Sequence, residues 1–283
     1  MEELKAYLVD YIDAVVYINL AKRTDRNEHM KKVTNIFGSK VQRFEAIEHE
    51  SGRVGCSKSH VEVMKIAIAS DWKNVLVLED DAEWNHTLRG YKEFKSISQG
   101  IFDVILLGSS YPTNITHNSK TSSSTGTHAY LVNRPYFSKL LMNFEEGASL
   151  LEQDAPTFRN DYTVDRYWSK LMEIDNWHLI APNLMYQIDS YSDIAKFSTN
   201  YFHIPESVFC LRDFSVKRAY WGRYDSVIDV TDTVQKLDIR KGMFLRHTLF
   251  PQDPAQYNTK ILMIEYEDGR VQLIREDDAF VIG

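Results

Sequence analysis

Residues 75–81, Val-Leu-Val-Leu-Glu-Asp-Asp, place an unbroken apolar run directly against three consecutive carboxylates. A strand covered on both faces lacks polar alternation, so Val75–Leu78 reads as a buried parallel strand. Open α/β sheets bind ligands outside the C-terminal ends of such strands. Three acids at that edge repel one another unless something neutralises them. Mg²⁺ or Mn²⁺ suits the role, because both prefer carboxylate oxygens and also grip phosphates. The other reading is an acidic loop at a helix N-terminus, where carboxylates are favoured by the helix dipole. The run by itself leaves both open.

Flanking segments build an α/β pattern around this strand. Ala14–Leu20 is a second apolar run, followed by a polar stretch and a helix ending before Gly38. Val41–Ala46 reads as a strand, Ser57–Ser70 as a helix, Tyr91–Ser98 as a helix and Asp103–Leu107 as a strand. Thr113–Thr127 reads as a surface loop, His128–Val132 as a strand and Arg134–Asn143 as a helix. Strands alternating with helices imply right-handed crossovers and a mainly parallel sheet. After about residue 198 the texture becomes β-rich. Lys260–Tyr266 and Val271–Ile274 flank Glu267-Asp268-Gly269-Arg270, a hairpin signal. The expected organisation is an α/β domain over 1–203 and a small β-rich accessory module over 204–283.

Composition narrows the partners. The net charge of −7 argues against nucleic acid, which is bound through clustered Lys and Arg. A nucleotide stays possible, its charge met by a metal and a few local cations. Two cysteines far apart, Cys56 and Cys210, point to a reducing compartment rather than a disulfide framework. The acidic N-terminus lacks the layout of a secretory signal and no apolar run is long enough to span a membrane, so a cytoplasmic location is expected. For the same reason the Asn114-Ile115-Thr116 triplet is treated as a chance match to a glycosylation signal.

Several polar groups sit where a site would be. Asn19-Leu20 with Arg23 and Arg26 places two cations just beyond the first strand, where arginine can hold a phosphate or stack on a base; a solvated helix start is the plain alternative. Gly55-Cys56-Ser57-Lys58-Ser59-His60 presents small residues before a helix, without phosphate-loop spacing. Cys56 near His60 does not by itself make a hydrolase. Asp161, Asp165 and Trp168 would share one helical face, as an acid beside an aromatic sugar platform or as a helix cap over core. Gln187 and Ser192-Asp193-Ile194 line a site or end a strand.

Taken in order, these segments resemble glycosyltransferase family 25, which includes lipooligosaccharide glycosyltransferases and collagen galactosyltransferases. The resemblance rests on Ile18-Asn19-Leu20 with Arg23 and Arg26, Gly55-Cys56 with Ser59-His60, Leu78-Glu79-Asp80-Asp81, Phe102–Gly108, Thr127-His128-Ala129-Tyr130-Leu131, Val164-Asp165, and Gln187 with Ser192-Asp193-Ile194. It spans roughly residues 14–195 and leaves out the C-terminal module. It implies a GT-A-like fold, a nucleotide-sugar donor (most often a UDP-sugar), Mn²⁺ or Mg²⁺, and an inverting mechanism. Asp81 would be the main metal ligand, with Glu79 and Asp80 near metal or ribose. Asn19, Leu20, Arg23, Arg26, Ser59 and His60 would lie along the donor. Asp165 would be the base for the acceptor hydroxyl or would complete the metal shell. The acceptor is left open as a glycan, protein hydroxyl or small molecule. Lys58 stands where family members often carry Leu, so this stretch departs from the pattern. A catalytically silent glycan-binding relative and a metal-dependent phosphohydrolase are the alternative functions.

Overall fold

Apolar runs too uniform to face water become the centre of a six-stranded sheet. The computed structural model describes residues 1–109, 111–115, 119–153, 161–180, 183–188, 190–191, 198–199, 216–223, 226–236, 243–244, 249–250, 252–255, 260–266, 271–276 and 279–280. Two compact units divide the chain, Met1–Phe202 and His203–Gly283. No helix among the described residues is long and apolar enough to cross a membrane.

In the first unit, helix α1 (Glu2–Tyr11) precedes strand β1 (Ala14–Asn19), every residue of which is buried. Helix α2 (Thr24–Thr34) and a 3-10 turn (Asn35–Lys40) lead to β2 (Val41–Glu45), and α3 (Gly52–Ala69) leads to β3 (Asn74–Glu79). After β4 (Ala82–Trp84) and α4 (Leu88–Ser98) comes β5 (Val104–Leu106). A hairpin, β6 (Tyr111–Ile115) with β7 (Thr121–Thr125), is followed by β8 (Ala129–Asn133) and α5 (Phe137–Gln153). Two short helices, α6 (Val164–Tyr167) and α7 (Ser169–Met172), precede β9 (Trp177–Leu179) and β10 (Met185–Gln187). The pair β11 (Ser190–Tyr191) and β12 (Ser198–Thr199) closes the unit.

The sheet order is β2-β1-β3-β8-β5-β9. Five strands run one way, and β8 alone runs against its neighbours β3 and β5. The sheet is thus mainly parallel, as expected. The reversal matters, because the start of β8, rather than its end, meets the C-terminal end of β3. Glu79 N donates to His128 O at 3.0 Å across that junction.

Several local expectations are corrected. Helix α3 begins at Gly52, so Gly55–His60 lie inside the helix and their amides are not displayed before it. The close approach explains Gly55, where a Cβ would meet Ile47 O at 2.5 Å. Residues 113–127 hold the β6–β7 hairpin rather than an open loop, with Thr121 and Ser124 buried. Asp161 precedes the helix, and α6 is a single turn, so Asp161, Asp165 and Trp168 do not share a helical face. Trp168 is fully buried, its ring centroid 5.1 Å from Trp177 and 5.5 Å from Tyr130, and its indole donates to Ser124 O. It is core, not a sugar platform.

Gly108 marks another tight crossing. A Cβ there would lie 2.0 Å from Met185 O and 2.5 Å from His128 Nε2. Because backbone cannot yield cheaply, Gly108→Ala is expected to cost about 1–3 kcal/mol or more. Urea unfolding of the variant against wild type measures it, and equal midpoints would show that the crossing has slack.

The second unit contains β13 (Val216–Arg223), β14 (Ser226–Asp229), α8 (Thr231–Lys236), β15 (Met243–Phe244), β16 (Ile261–Tyr266), β17 (Val271–Arg275) and β18 (Ala279–Phe280). An antiparallel sheet of order β14-β13-β16-β17 carries its core, with Trp221 fully buried at 4.9 Å from Phe250 between ring centroids. The β16–β17 pair is the hairpin read from the sequence; its turn residues lie outside the described residues.

Candidate active site at the acidic strand edge

Parallel pairing of β1 with β3 sets Ile18 opposite Glu79, so Asn19 and Asp80 emerge side by side. Asn19 Nδ2 donates to Asp80 Oδ2 at 2.8 Å, and Arg43 Nε holds Asn19 Oδ1 at 3.0 Å. From α2, Arg26 Nη1 lies 2.5 Å from Asp80 Oδ1 and 3.3 Å from Asp81 Oδ2. Strand β10 pairs with β4 so that Gln187 opposes Ala82, and Ile188 N donates to Asp81 O at 2.9 Å. That pairing carries Gln187 Nε2 to 3.4 Å from Asp81 Oδ1 and 3.5 Å from Glu79 Oε2. Glu79 Oε1 accepts from Thr127 Oγ1, two residues before β8, and faces His60 Nε2 at 3.5 Å.

Charge here is out of balance. Asp80 and Asp81 are both buried. Burial, followed by the neighbouring Glu79 charge, pushes the Asp81 carboxyl up to about 7. Burial also raises Asp80, against the pull of Arg26 and Asn19. Glu79 is held below its ordinary value: burial opposes ionisation, but the adjacent His60 ring and the bond from Thr127 prevail. A carboxyl driven to protonate by burial and a neighbouring carboxylate is what a divalent cation would relieve. The oxygens of Asp80, Asp81 and Glu79 are hard donors of the kind Mg²⁺ and Mn²⁺ take, so the residues fit such an ion.

The remaining predicted residues fall into place unevenly. Arg23 pairs with Asp25 at 2.8 Å, and Leu20 takes part through its carbonyl, which accepts from Arg23 N at 2.9 Å. Ser59 is buried with its hydroxyl bonded to backbone, donating to Gly55 O at 2.7 Å and accepting from Ile47 N at 2.9 Å. Asp165 sits in the first turn of α6, accepting from Thr163 Oγ1 at 2.9 Å and Gly126 N at 3.1 Å. Gly126 is the chain neighbour of Thr127, so Asp165 and Glu79 anchor adjacent residues of one connection. Ser192 and Asp193 lie outside the described residues. Sequence reasoning did not assign Arg43 or Thr127 to the site. Arg43 lies among exposed positions of an edge strand, and Thr127 reaches Glu79 because β8 is reversed.

No protein-family profile and no curated protein sequence matches the chain. Among solved structures, it is similar to a glycosyltransferase involved in the glycosylation of the major capsid of PBCV-1, at 12% identity and a TM-score of 0.41, covering 59% of this chain and 80% of that one. A protein from STIV gives 11% identity and a TM-score of 0.41 over 67% of this chain and 95% of its own. The glycosyltransferase GlyE of Streptococcus pneumoniae gives 10% and 0.35 over 59% of this chain, which spans less than half of that protein, 45%. Likenesses this distant do not settle an activity.

Proposed function

We propose that this chain is a metal-dependent, inverting glycosyltransferase with a GT-A-like domain over 1–203 and an accessory β module over 204–283. The single observation that carries the reading is the buried, under-neutralised carboxylate cluster at the C-terminal edge of β3, bracketed by Asn19 and Arg26. The sequence resemblance to glycosyltransferase family 25 over the same segments supports it. The donor would be a nucleotide sugar, taken here as a UDP-sugar, and the acceptor a hydroxyl on a glycan or protein.

Asp81, with Asp80 and Glu79, would hold Mn²⁺ or Mg²⁺. When bound, the ion neutralises charge on the donor's diphosphate. Asn19 and Arg26 hold Asp80 in one orientation, and Gln187 does the same for Asp81 and Glu79. Arg26, beside Asp80 and Asp81, would also face the donor's phosphate oxygens. Asp165 would accept the acceptor hydroxyl's proton as that oxygen attacks the anomeric carbon. Bonds from Thr163 and Gly126 occupy one lone pair on each Asp165 oxygen, leaving others for that proton.

A thermal-shift panel of nucleotide sugars with and without Mn²⁺ tests the proposal, because a true donor stabilises the native state by mass action. A rise with one nucleotide sugar that requires the metal is the expected result; no rise with any of them would remove the donor. For Asp165→Asn, transfer should fall about 10²- to 10⁴-fold while the donor-dependent rise in Tm is kept. Unchanged turnover in that variant would take the base role from Asp165.

A further inference from the structure

Beside the acids lies a second constellation with different chemistry. Cys56 and His60 are four residues apart on α3 and so share a helical face. One ligand atom from each of Cys56, His60 and Glu79 falls within 4.8 Å of the others. His60 is fully buried, and its Nδ1 lies 2.7 Å from the Tyr130 hydroxyl. Its Nε2 is buried with no hydrogen-bond partner and faces Glu79 Oε1 across 3.5 Å. A buried ring nitrogen left unmatched is uncommon and asks for a cause.

The spacing supplies one. Ligands held tetrahedrally at about 2.0–2.3 Å from one ion stand roughly 3.3–3.8 Å apart, which the His60–Glu79 separation already meets. If Nδ1 donates its proton to Tyr130 Oη, the lone pair falls on Nε2, the atom that faces Glu79. Metal-bound histidines are commonly oriented in this way through their second nitrogen. The carboxylate of Glu79 divides between the two neighbourhoods. Oε1 faces His60, whereas Oε2 faces Gln187.

We propose that Cys56 Sγ, His60 Nε2 and Glu79 Oε1 form a site for a thiolate-preferring divalent ion of the zinc type, distinct from the Mn²⁺ or Mg²⁺ position at Asp81. Sulfur and imidazole select such an ion over the hard cations that all-oxygen sites take. Three protein ligands leave a fourth position for water or another donor. Binding exchanges the thiol proton for the metal, which releases one H⁺ and makes affinity rise with pH. Cys56 and Glu79 are both partly exposed. This site does not depend on the transferase reading.

Cobalt titration of the metal-stripped full-length chain tests it, through the near-ultraviolet thiolate-to-cobalt charge-transfer band. The band is expected to saturate at one ion per chain, to vanish in Cys56→Ser and to persist in both Cys210→Ser and Asp81→Asn. Tyr130→Phe should weaken cobalt binding about 10- to 100-fold. As a second measurement, independent of whether Cys56→Ser folds, Zn²⁺ should slow iodoacetamide alkylation of Cys56 in Cys210→Ser at least ~10-fold. No band in wild type, a band that survives in Cys56→Ser, or alkylation indifferent to Zn²⁺ would overturn the site. Loss of the band in Asp81→Asn would overturn its separateness, while failure of Mn²⁺-dependent transfer with the band intact would count against the transferase reading alone.

Discussion

Asp81→Asn is expected to lower metal-dependent sugar transfer on the order of 10³-fold or more while leaving the chain folded. Asparagine keeps the shape and one acceptor oxygen but removes the charge that would hold the ion. The same substitution should raise stability in the absence of metal. In the native state the Asp81 carboxyl is pushed up to about 7, whereas in the unfolded chain it ionises near ~3.9. Below the unfolded value both states are protonated and the site costs nothing. As pH rises from about 4 to about 7, the unfolded chain gives up the proton first, so wild type loses stability relative to Asp81→Asn. Above that window the gap stays constant. A gap on the order of 1 kcal/mol would raise Tm by about 2–4 °C for a chain of this size. Differential scanning fluorimetry across that range, with and without Mn²⁺, measures both effects. Full activity in the variant would remove Asp81 from the metal site, and a Tm difference that ignores pH would remove the charge argument.

Arg26→Ala should be the most destabilising of the charge deletions. Its guanidinium lies within ion-pair distance of both Asp80 and Asp81, and all three side chains are about nine-tenths buried. Removing one partner of a buried pair strands the other charge, which typically costs about 3–5 kcal/mol. The loss should shrink at about pH 5.5, where Asp81 already carries a proton and needs no partner. Saturating Mn²⁺ should recover part of it by returning positive charge to the same oxygens. Urea unfolding at about pH 5.5 and pH 8, with and without Mn²⁺, distinguishes these contributions. An equal loss under all conditions would mean that Arg26 acts through packing of its aliphatic stem rather than its charge.

Much of the frame was legible because burial on two faces leaves an unmistakable pattern. The runs at Ala14–Asn19 and Asn74–Glu79 are buried strands with the three acids at the end of β3, as their composition implies. Helix α1 was legible too, through Leu4, Tyr7, Leu8 and Tyr11 at helical spacing. The acids Glu2, Glu3 and Asp10 interleaved with them give the segment the look of a solvated terminus. The β6–β7 hairpin was harder to read. Its Ser- and Thr-rich sequence lacks apolar alternation, and two of its polar side chains are buried by the tertiary structure around them. Trp168 shows the same limit from the other side, since no local pattern tells a buried indole from a platform for sugar.

The amino-acid order alone determined where the carboxylates would collect, because an apolar strand must end where its charges begin. It also determined that Arg26 and Asn19 would lie nearby, one strand away at the same edge. What sits against those acids was decided only by the tertiary structure. Thr127 reaches Glu79 because β8 is reversed; Gln187 reaches Asp81 because β10 pairs with β4; His60 brings its Nε2 to Glu79 from within α3. Strand direction, pairing partner and helix phase depend on contacts between residues far apart in the chain, and local composition carries no record of them.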